Sequence, residues 1–187
     1  MELATKERAK ARMLMDLANT AFDRILALDF ESLTVEDIAA GVGMSRATFF
    51  RHYGSKEGVV VAAILGTTAE FAEAYRTAQG PALSWARLRA AIEPAVRFVE
   101  QDPANMRARM AFLAGHPAIA AKLRAERQPQ IAALAEAMME AGGDPFACRI
   151  RAHAAVATCD QCFIIWKTEG RPMRDLVDDA FRALARG

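Results

Sequence analysis

This 187-residue sequence is poor in cysteine, lacks strand-forming runs, and has no excess charge of either sign. Its three cysteines are an odd number and too few for a disulfide scaffold. Cys159 and Cys162 form a C-x-x-C inside an apolar helical stretch. No second Cys/His pair completes a zinc site, so they read as a structural thiol pair rather than a metal or redox centre. No uninterrupted apolar run is long enough to span a bilayer. The N-terminus mixes acids with bases, unlike a signal peptide. A soluble cytoplasmic protein with no membrane partner is therefore expected. No period-two alternation of apolar and polar residues appears, so no strand is predicted. There is no glycine-rich phosphate loop, no metal-ligand spacing, and no nucleophile beside a base. Hence no catalytic residue, metal or cofactor is assigned, and an enzyme is not expected. The charge balance of 24 Lys/Arg against 23 Asp/Glu excludes a global basic field. Even residues 1–60 hold eight bases against nine acids. Any nucleic-acid argument must rest on local placement.

One local placement meets that demand. From Met44 to Lys56 the chain carries Arg46, Arg51, His52 and Lys56 and no Asp or Glu. Cations without neighbouring acids suit a phosphate-lined groove. The surrounding stretch, Thr34 to Lys56, reads as two short helices joined by a tight turn, with a third helix directly behind. Thr34 is a good N-cap, and Asp37 three residues on completes a box-like start. Val35, Ile38, Ala39 and Val42 put apolar groups on one face. Gly43 can adopt the left-handed backbone of a sharp turn. Ser45 caps the second helix, and Phe49 and Tyr53, spaced i, i+4, face the core together. Arg46, Ala47, Phe50, Arg51 and His52 are left on other faces. This is the pattern of a helix-turn-helix, whose second helix enters the major groove. An ordinary helical hairpin with a solvated basic face has the same spacing.

The segment IAAGVGMSRATFFRHYGSKE resembles the DNA-binding signature of the tetracycline-repressor (TetR) family. The similarity runs without a gap from Thr34 through Lys56. Phe50 stands where the family usually has Tyr, which removes a phenol contact to phosphate but leaves a ring to press on a sugar or a thymine methyl. Ala47 stands where Gly is common, and Asp29-Phe30 replaces the usual Gly-aromatic end of the first helix. The resemblance implies an all-α protein with a three-helix head at residues 1–54. A long helix from Ser55 to about Ala78 would join it to a helical ligand-binding and dimerisation domain, residues 55–187. It implies DNA contacts from Thr34, Ser45, Arg46, Ala47, Thr48, Phe50, Arg51, His52 and Lys56. The partners it implies are a double-stranded DNA operator, a small-molecule effector and a second copy of the chain.

Elsewhere the residues give helix after helix. Lys6, Arg8, Lys10 and Arg12 open the first, a basic start that either touches phosphates or is merely solvated. Leu14, Leu17, Ala18, Ala21, Phe22, Ile25 and Leu26 then form an i, i+3/i+4 stripe that would roof the two motif helices. Gly80-Pro81 is a stop. Pro94 should kink the helix marked by Trp85, Leu88, Ile92, Val96 and Val99. Asp102-Pro103 starts a short Met-rich helix ending near Gly115. Pro129 bends or splits the next, and Asp144-Pro145 starts a helix that is apolar almost all round from Ala154 to Trp166. Such a helix must be buried on several sides. Phe98, Met106, Met110, Leu113, His153, Phe163 and Trp166 are candidates for an adaptable ligand chamber, with plain core packing as the alternative for each. His153, Asp160 and Gln161 are polar groups that need partners if buried. Ile164, Ile165, Val177, Phe181 and Leu184, on the last two helices, are the candidate dimer interface. Two functions follow. One is a dimeric repressor released from a palindromic operator by a small, mainly apolar ligand. The other is a helical small-molecule or protein-binding module without specific DNA binding.

Overall fold

The structure is a computed structural model that describes residues 2–66 and 69–186, with the side chains of residues 2–5 and Arg8 outside the description. Among the described residues there are twelve helices and no strand. They are α1 (Glu2–Ala27), α2 (Val35–Gly41), α3 (Arg46–Tyr53), α4 (Lys56–Leu65), α5 (Glu70–Thr77) and α6 (Trp85–Ala91). Then follow α7 (Glu93–Gln101), α8 (Pro103–Gly115), α9 (Pro117–Ala125), α10 (Gln128–Glu140), α11 (Pro145–Glu169) and α12 (Met173–Arg186). The chain divides into two compact units: residues up to 66 with 108–126, and 69–107 with 127–186. The division falls inside α8, after Arg107.

The first unit is built around α1. Its stripe of Ala18, Ala21, Phe22 and Ile25 is buried together with Ile38 and Ala39 of α2, Phe49 and Tyr53 of α3, and Val59, Val60 and Val61 of α4. Leu113 of α8 and Ile119 of α9 complete that core, with Met110, Phe112 and Leu123 packed beside them. The close approach of α3 and α4 depends on Gly58, because a Cβ there would sit 1.8 Å from the Tyr53 carbonyl oxygen. Residues 56–77 have the length and composition of a membrane span. The valines of α4 are nevertheless wholly buried among the head's helices, as in the core helix of a folded domain.

The helix expected from Ser55 to about Ala78 stops much sooner. Ser55 caps α4 by accepting from the Gly58 amide at 3.1 Å. At the other end Gly66 turns to a φ of 70°, a left-handed backbone that ends the helix at Leu65. Pro94 likewise produces a break rather than a kink: Ile92 separates α6 from α7, and Pro94 lies in the first turn of α7 where its missing N–H is harmless. Pro129 does the same at the start of α10.

The second unit packs α5 against α6 and α10, α10 against α11, and α12 against α6 and α11. Tyr75, Leu88, Ile92, Leu134, Met138, Cys148, Val156, Cys159, Trp166, Met173 and Val177 form its interior. A charged cluster closes one side. The Glu93 carboxylate accepts from Arg174 at 2.9 and 3.1 Å, from Arg89 at 3.0 Å and from Arg97 at 3.2 Å. Burial alone would raise the Glu93 carboxyl, but those guanidinium bonds outweigh it and bring it down to about 2.

Several expectations for this unit change on the structure. His153 and Gln161 are exposed on α11, so neither needs an interior partner. Asp160 has one: Arg127 lies 2.7 Å away. Val177 and Phe181 are 0% and 3% exposed, and Phe181 meets Trp85 edge-on at 6.2 Å between centroids. These two are core residues of the chain itself, since the period-3.6 stripe of α12 is spent on α6 and α11. The seven chamber candidates are also not gathered in one unit. Met110 and Leu113 pack in the head's core, whereas Phe98, Met106, Phe163 and Trp166 belong to the second unit. Cys159 and Cys162 are buried and unbridged. Burial pushes both thiols up, which suppresses thiolate chemistry.

Candidate nucleic-acid interface

The helix-turn-helix begins at a complete capping box. The Thr34 hydroxyl oxygen accepts from the Asp37 amide at 3.1 Å, and the Thr34 amide donates to Asp37 Oδ2 at 3.0 Å. The Thr34 hydroxyl also donates to Asp37 Oδ2 at 2.5 Å, and that bond, with the one from the Thr34 amide, holds the Asp37 carboxyl below its ordinary value. At the other end of α2 the Met44 amide bonds back to the Ala39 carbonyl at 2.9 Å, and Gly43 has a φ of 70°. This six-residue closure turns the chain sharply enough to start α3 at once. Arg24 of α1 braces the same corner, since its Nη1 donates to the Gly41 carbonyl at 3.2 Å.

Ser45 caps α3 by accepting from the Thr48 amide at 3.2 Å, and its hydroxyl donates to Thr48 Oγ1 at 3.0 Å. Phe49 and Tyr53 point inward, and the Tyr53 hydroxyl donates to the Leu14 carbonyl of α1 at 2.6 Å. The reading helix is thereby held by two aromatic anchors and one long-range hydrogen bond. Its outer face carries Arg46, Ala47, Phe50 and Arg51, all exposed, with Thr48 and His52 half-buried. Burial pushes the His52 imidazole down, and the charges of Arg51 and Lys10 push it the same way. Both effects favour the neutral imidazole.

Two side chains behave differently from the sequence expectation. Lys56 donates Nζ to the Phe30 carbonyl at 2.9 Å and lies over the Phe30 ring, 4.4 Å from its centroid. It therefore ties the loop after α1 to the start of α4. Arg46 is paired with Glu36 of α2, and its guanidinium lies 5.1 Å from the centroid of Phe50. Sequence reading missed Glu36, Arg24 and the Tyr53 hydroxyl. Their roles depend on contacts between helices, which no local spacing encodes.

Residues 25–63, which span α2, α3 and most of α4, match the family model for bacterial regulatory proteins of the tetR family. In sequence, the likeness to that family is confined to these residues. Solved structures extend the likeness beyond those residues, as a shared fold. AlkX, a TetR-family repressor from Dietzia sp. strain DQ12-45-1b implicated in n-alkane biodegradation, is 21% identical, with a TM-score of 0.58 over 91% of this chain and 94% of its own. The TetR-family repressor FadR of Thermus thermophilus, solved with lauroyl-CoA, is 19% identical, with a TM-score of 0.57 over 91% and 92%. The fatty acid degradation regulator FadR of Bacillus halodurans is 17% identical, with a TM-score of 0.57 over 94% of both chains. No curated protein sequence matches the chain significantly.

Proposed function

We propose that this protein is a homodimeric transcriptional repressor, acting in the cytoplasm and not as an enzyme, which binds a palindromic operator and leaves it when a small, mainly apolar ligand occupies the second unit. The observation that carries the DNA reading is the outer face of α3. It is capped by Ser45, anchored through Phe49 and Tyr53, exposed, and free of acids from Met44 to Lys56. Residues at the start of such a helix reach base edges, and the flanking cations meet phosphates.

Support for the second copy comes from α11. Phe146, Ile150 and Ile164 are 74%, 55% and 58% exposed, at spacings that share one helical face with Ala157. An exposed face with three large apolar side chains, shared with the exposed His153 and Gln161, suits pairing with another chain. Of the five residues first assigned to the interface, Ile164 and the half-buried Ile165 and Leu184 remain candidates. In a symmetric dimer the two reading helices would lie about 34 Å apart, one turn of DNA.

The ligand class is supported by the buried apolar side chains of Met106 and Trp166 and by the lauroyl-CoA bound to the Thermus FadR. Arg107, whose guanidinium lies 4.9 Å from the Trp166 ring centroid, supplies a cation for an anionic end. One covalent route from such an event to the head is α8, the helix within which the chain passes from one unit to the other. Coupling of about 1–3 kcal/mol would change operator affinity roughly 5- to 150-fold, and DNA must weaken ligand binding by the same factor.

The test begins with a randomised duplex pool. The wild-type protein should enrich a palindrome, and Arg46→Ala should lose about 1–3 kcal/mol of preference for it. Lauroyl-CoA should then release the enriched duplex. Failure to enrich any sequence would leave the chain a helical binding module without specific DNA binding.

A further inference from the structure

We propose that Glu36 is a specificity-determining positioning residue of the reading helix: it holds the Arg46 guanidinium ready for a guanine edge and, by its charge, weakens contacts that involve phosphate alone. The proposal rests on the DNA-reading function above. Arg46 is the first residue of α3, and Glu36 lies in the first turn of α2. Their side chains are 65% and 56% exposed, so both stand at the surface that would face DNA.

Two restraints act on the guanidinium at once. The Glu36 carboxylate meets it at Nε, and the Phe50 ring, one turn further along α3, lies 5.1 Å from its central carbon. The carboxylate fixes one edge in the plane. The ring limits the tilt of that plane. The edge carrying Nη1 and Nη2 is the one left to present two parallel donors, which is what guanine O6 and N7 require. An arginine without such support must give up the freedom of its long side chain each time it reads a base.

The placement is not explained by helix capping. Asp37, the neighbouring acid, already completes the box with Thr34 through both its backbone and its carboxylate. Glu36 is the acid that reaches across to α3. It also stands opposite a run from Met44 to Lys56 that contains none. A carboxylate there repels a polyanion in every register. It is compensated only where Arg46 finds its base, so the repulsion falls hardest on non-specific complexes.

The experiment uses the full chain, the duplex enriched by the wild-type protein from a randomised pool, and a base-scrambled duplex of equal length. Glu36→Gln should tighten binding to the scrambled duplex about 3- to 10-fold while gaining less on the enriched one, so the preference ratio falls about 2- to 5-fold. Glu36→Asp keeps the charge but shortens the reach. It should bind scrambled DNA like the wild type and show an intermediate ratio. In an Arg46→Ala background, Glu36→Gln should leave the ratio where Arg46→Ala alone puts it. Equal tightening on both duplexes, with the ratio intact, would overturn the proposal and reduce Glu36 to a through-space charge. If Arg46→Ala itself leaves the ratio unchanged, the DNA-reading role of Arg46 fails, and with it the proposal. Both sites are exposed, and matching thermal unfolding of the variants confirms that the comparison concerns binding.

Discussion

Replacing Arg109 by methionine should loosen the head from within. Arg109 is only 3% exposed. From α8 it donates to Asn19 Oδ1 at 2.7 Å and to Asp23 Oδ1 at 2.7 Å, both on α1, and to the Ala63 carbonyl at 3.2 Å near the end of α4. Its guanidinium also lies 5.1 Å from the Phe22 ring centroid. Methionine keeps much of the stem's volume and removes the donors. The Asp23 side chain is 49% exposed, so water can replace the lost bond there. Ala63 cannot be rescued as easily: it is 1% exposed, and its carbonyl belongs to the last turn of α4, which lacks intrahelical donors. An unsatisfied buried carbonyl costs about 1–3 kcal/mol, partly offset because a buried cation no longer has to be desolvated. The net expectation is about 2 kcal/mol, or a fall of roughly 4–8 °C in Tm for a chain of this length. Alanine, which also leaves a void, should cost about 3–4 kcal/mol. Thermal unfolding measures the total, and hydrogen exchange locates it. Amides of α1 and of the last turn of α4 should exchange faster, while those of α11 stay as they were. If the methionine variant is as stable as the wild type within about 0.5 kcal/mol, with α1 exchange unchanged, the guanidinium contributes nothing net, and the reasoning fails.

Gly58→Ala should be more damaging than its chemistry suggests, by at least about 1–3 kcal/mol, because the added Cβ meets a backbone oxygen at 1.8 Å rather than a side chain that can swing aside; an unchanged Tm would contradict the α3–α4 packing. Acid should expose the Glu93 cluster. Its arginine partners bring its carboxyl down to about 2 from an ordinary 4.5, so its stabilisation is complete above about pH 4.5 and is lost as pH falls toward 2. The linked energy is at most on the order of 3 kcal/mol, reduced by solvent around the exposed Arg174, and Glu93→Gln should flatten that part of the stability–pH curve while lowering its plateau. Ile150→Asp and Ile164→Asp, at exposed positions, should yield a folded monomer by sedimentation, whereas Val177→Asp, fully buried, should unfold the second unit; a folded, dimeric Ile150→Asp/Ile164→Asp protein would place the dimer contact elsewhere.

The sequence by itself determined the local grammar of this protein. The caps at Thr34, Ser45 and Ser55, the turn at Gly43, the aromatic pair Phe49 and Tyr53, and the proline-marked helix starts are all decided within a few residues, because capping and turn geometry are short-range. The exposed basic face of α3 was legible for the same reason: a run without acids is a property of the run. What only the tertiary structure decided is where long side chains and apolar stripes go. Lys56 was readable as a phosphate contact until Phe30 and its carbonyl took the ammonium. Glu36 was one more acid of a capped helix until Arg46 came within reach. Val177 and Phe181 carry the strongest amphipathic stripe in the chain, yet that stripe faces α6 and α11, while the weakly patterned α11 offers Phe146, Ile150 and Ile164 to solvent. Periodicity states that a face must be covered; which neighbour covers it depends on packing between segments far apart in sequence, and that is settled only when the chain has folded.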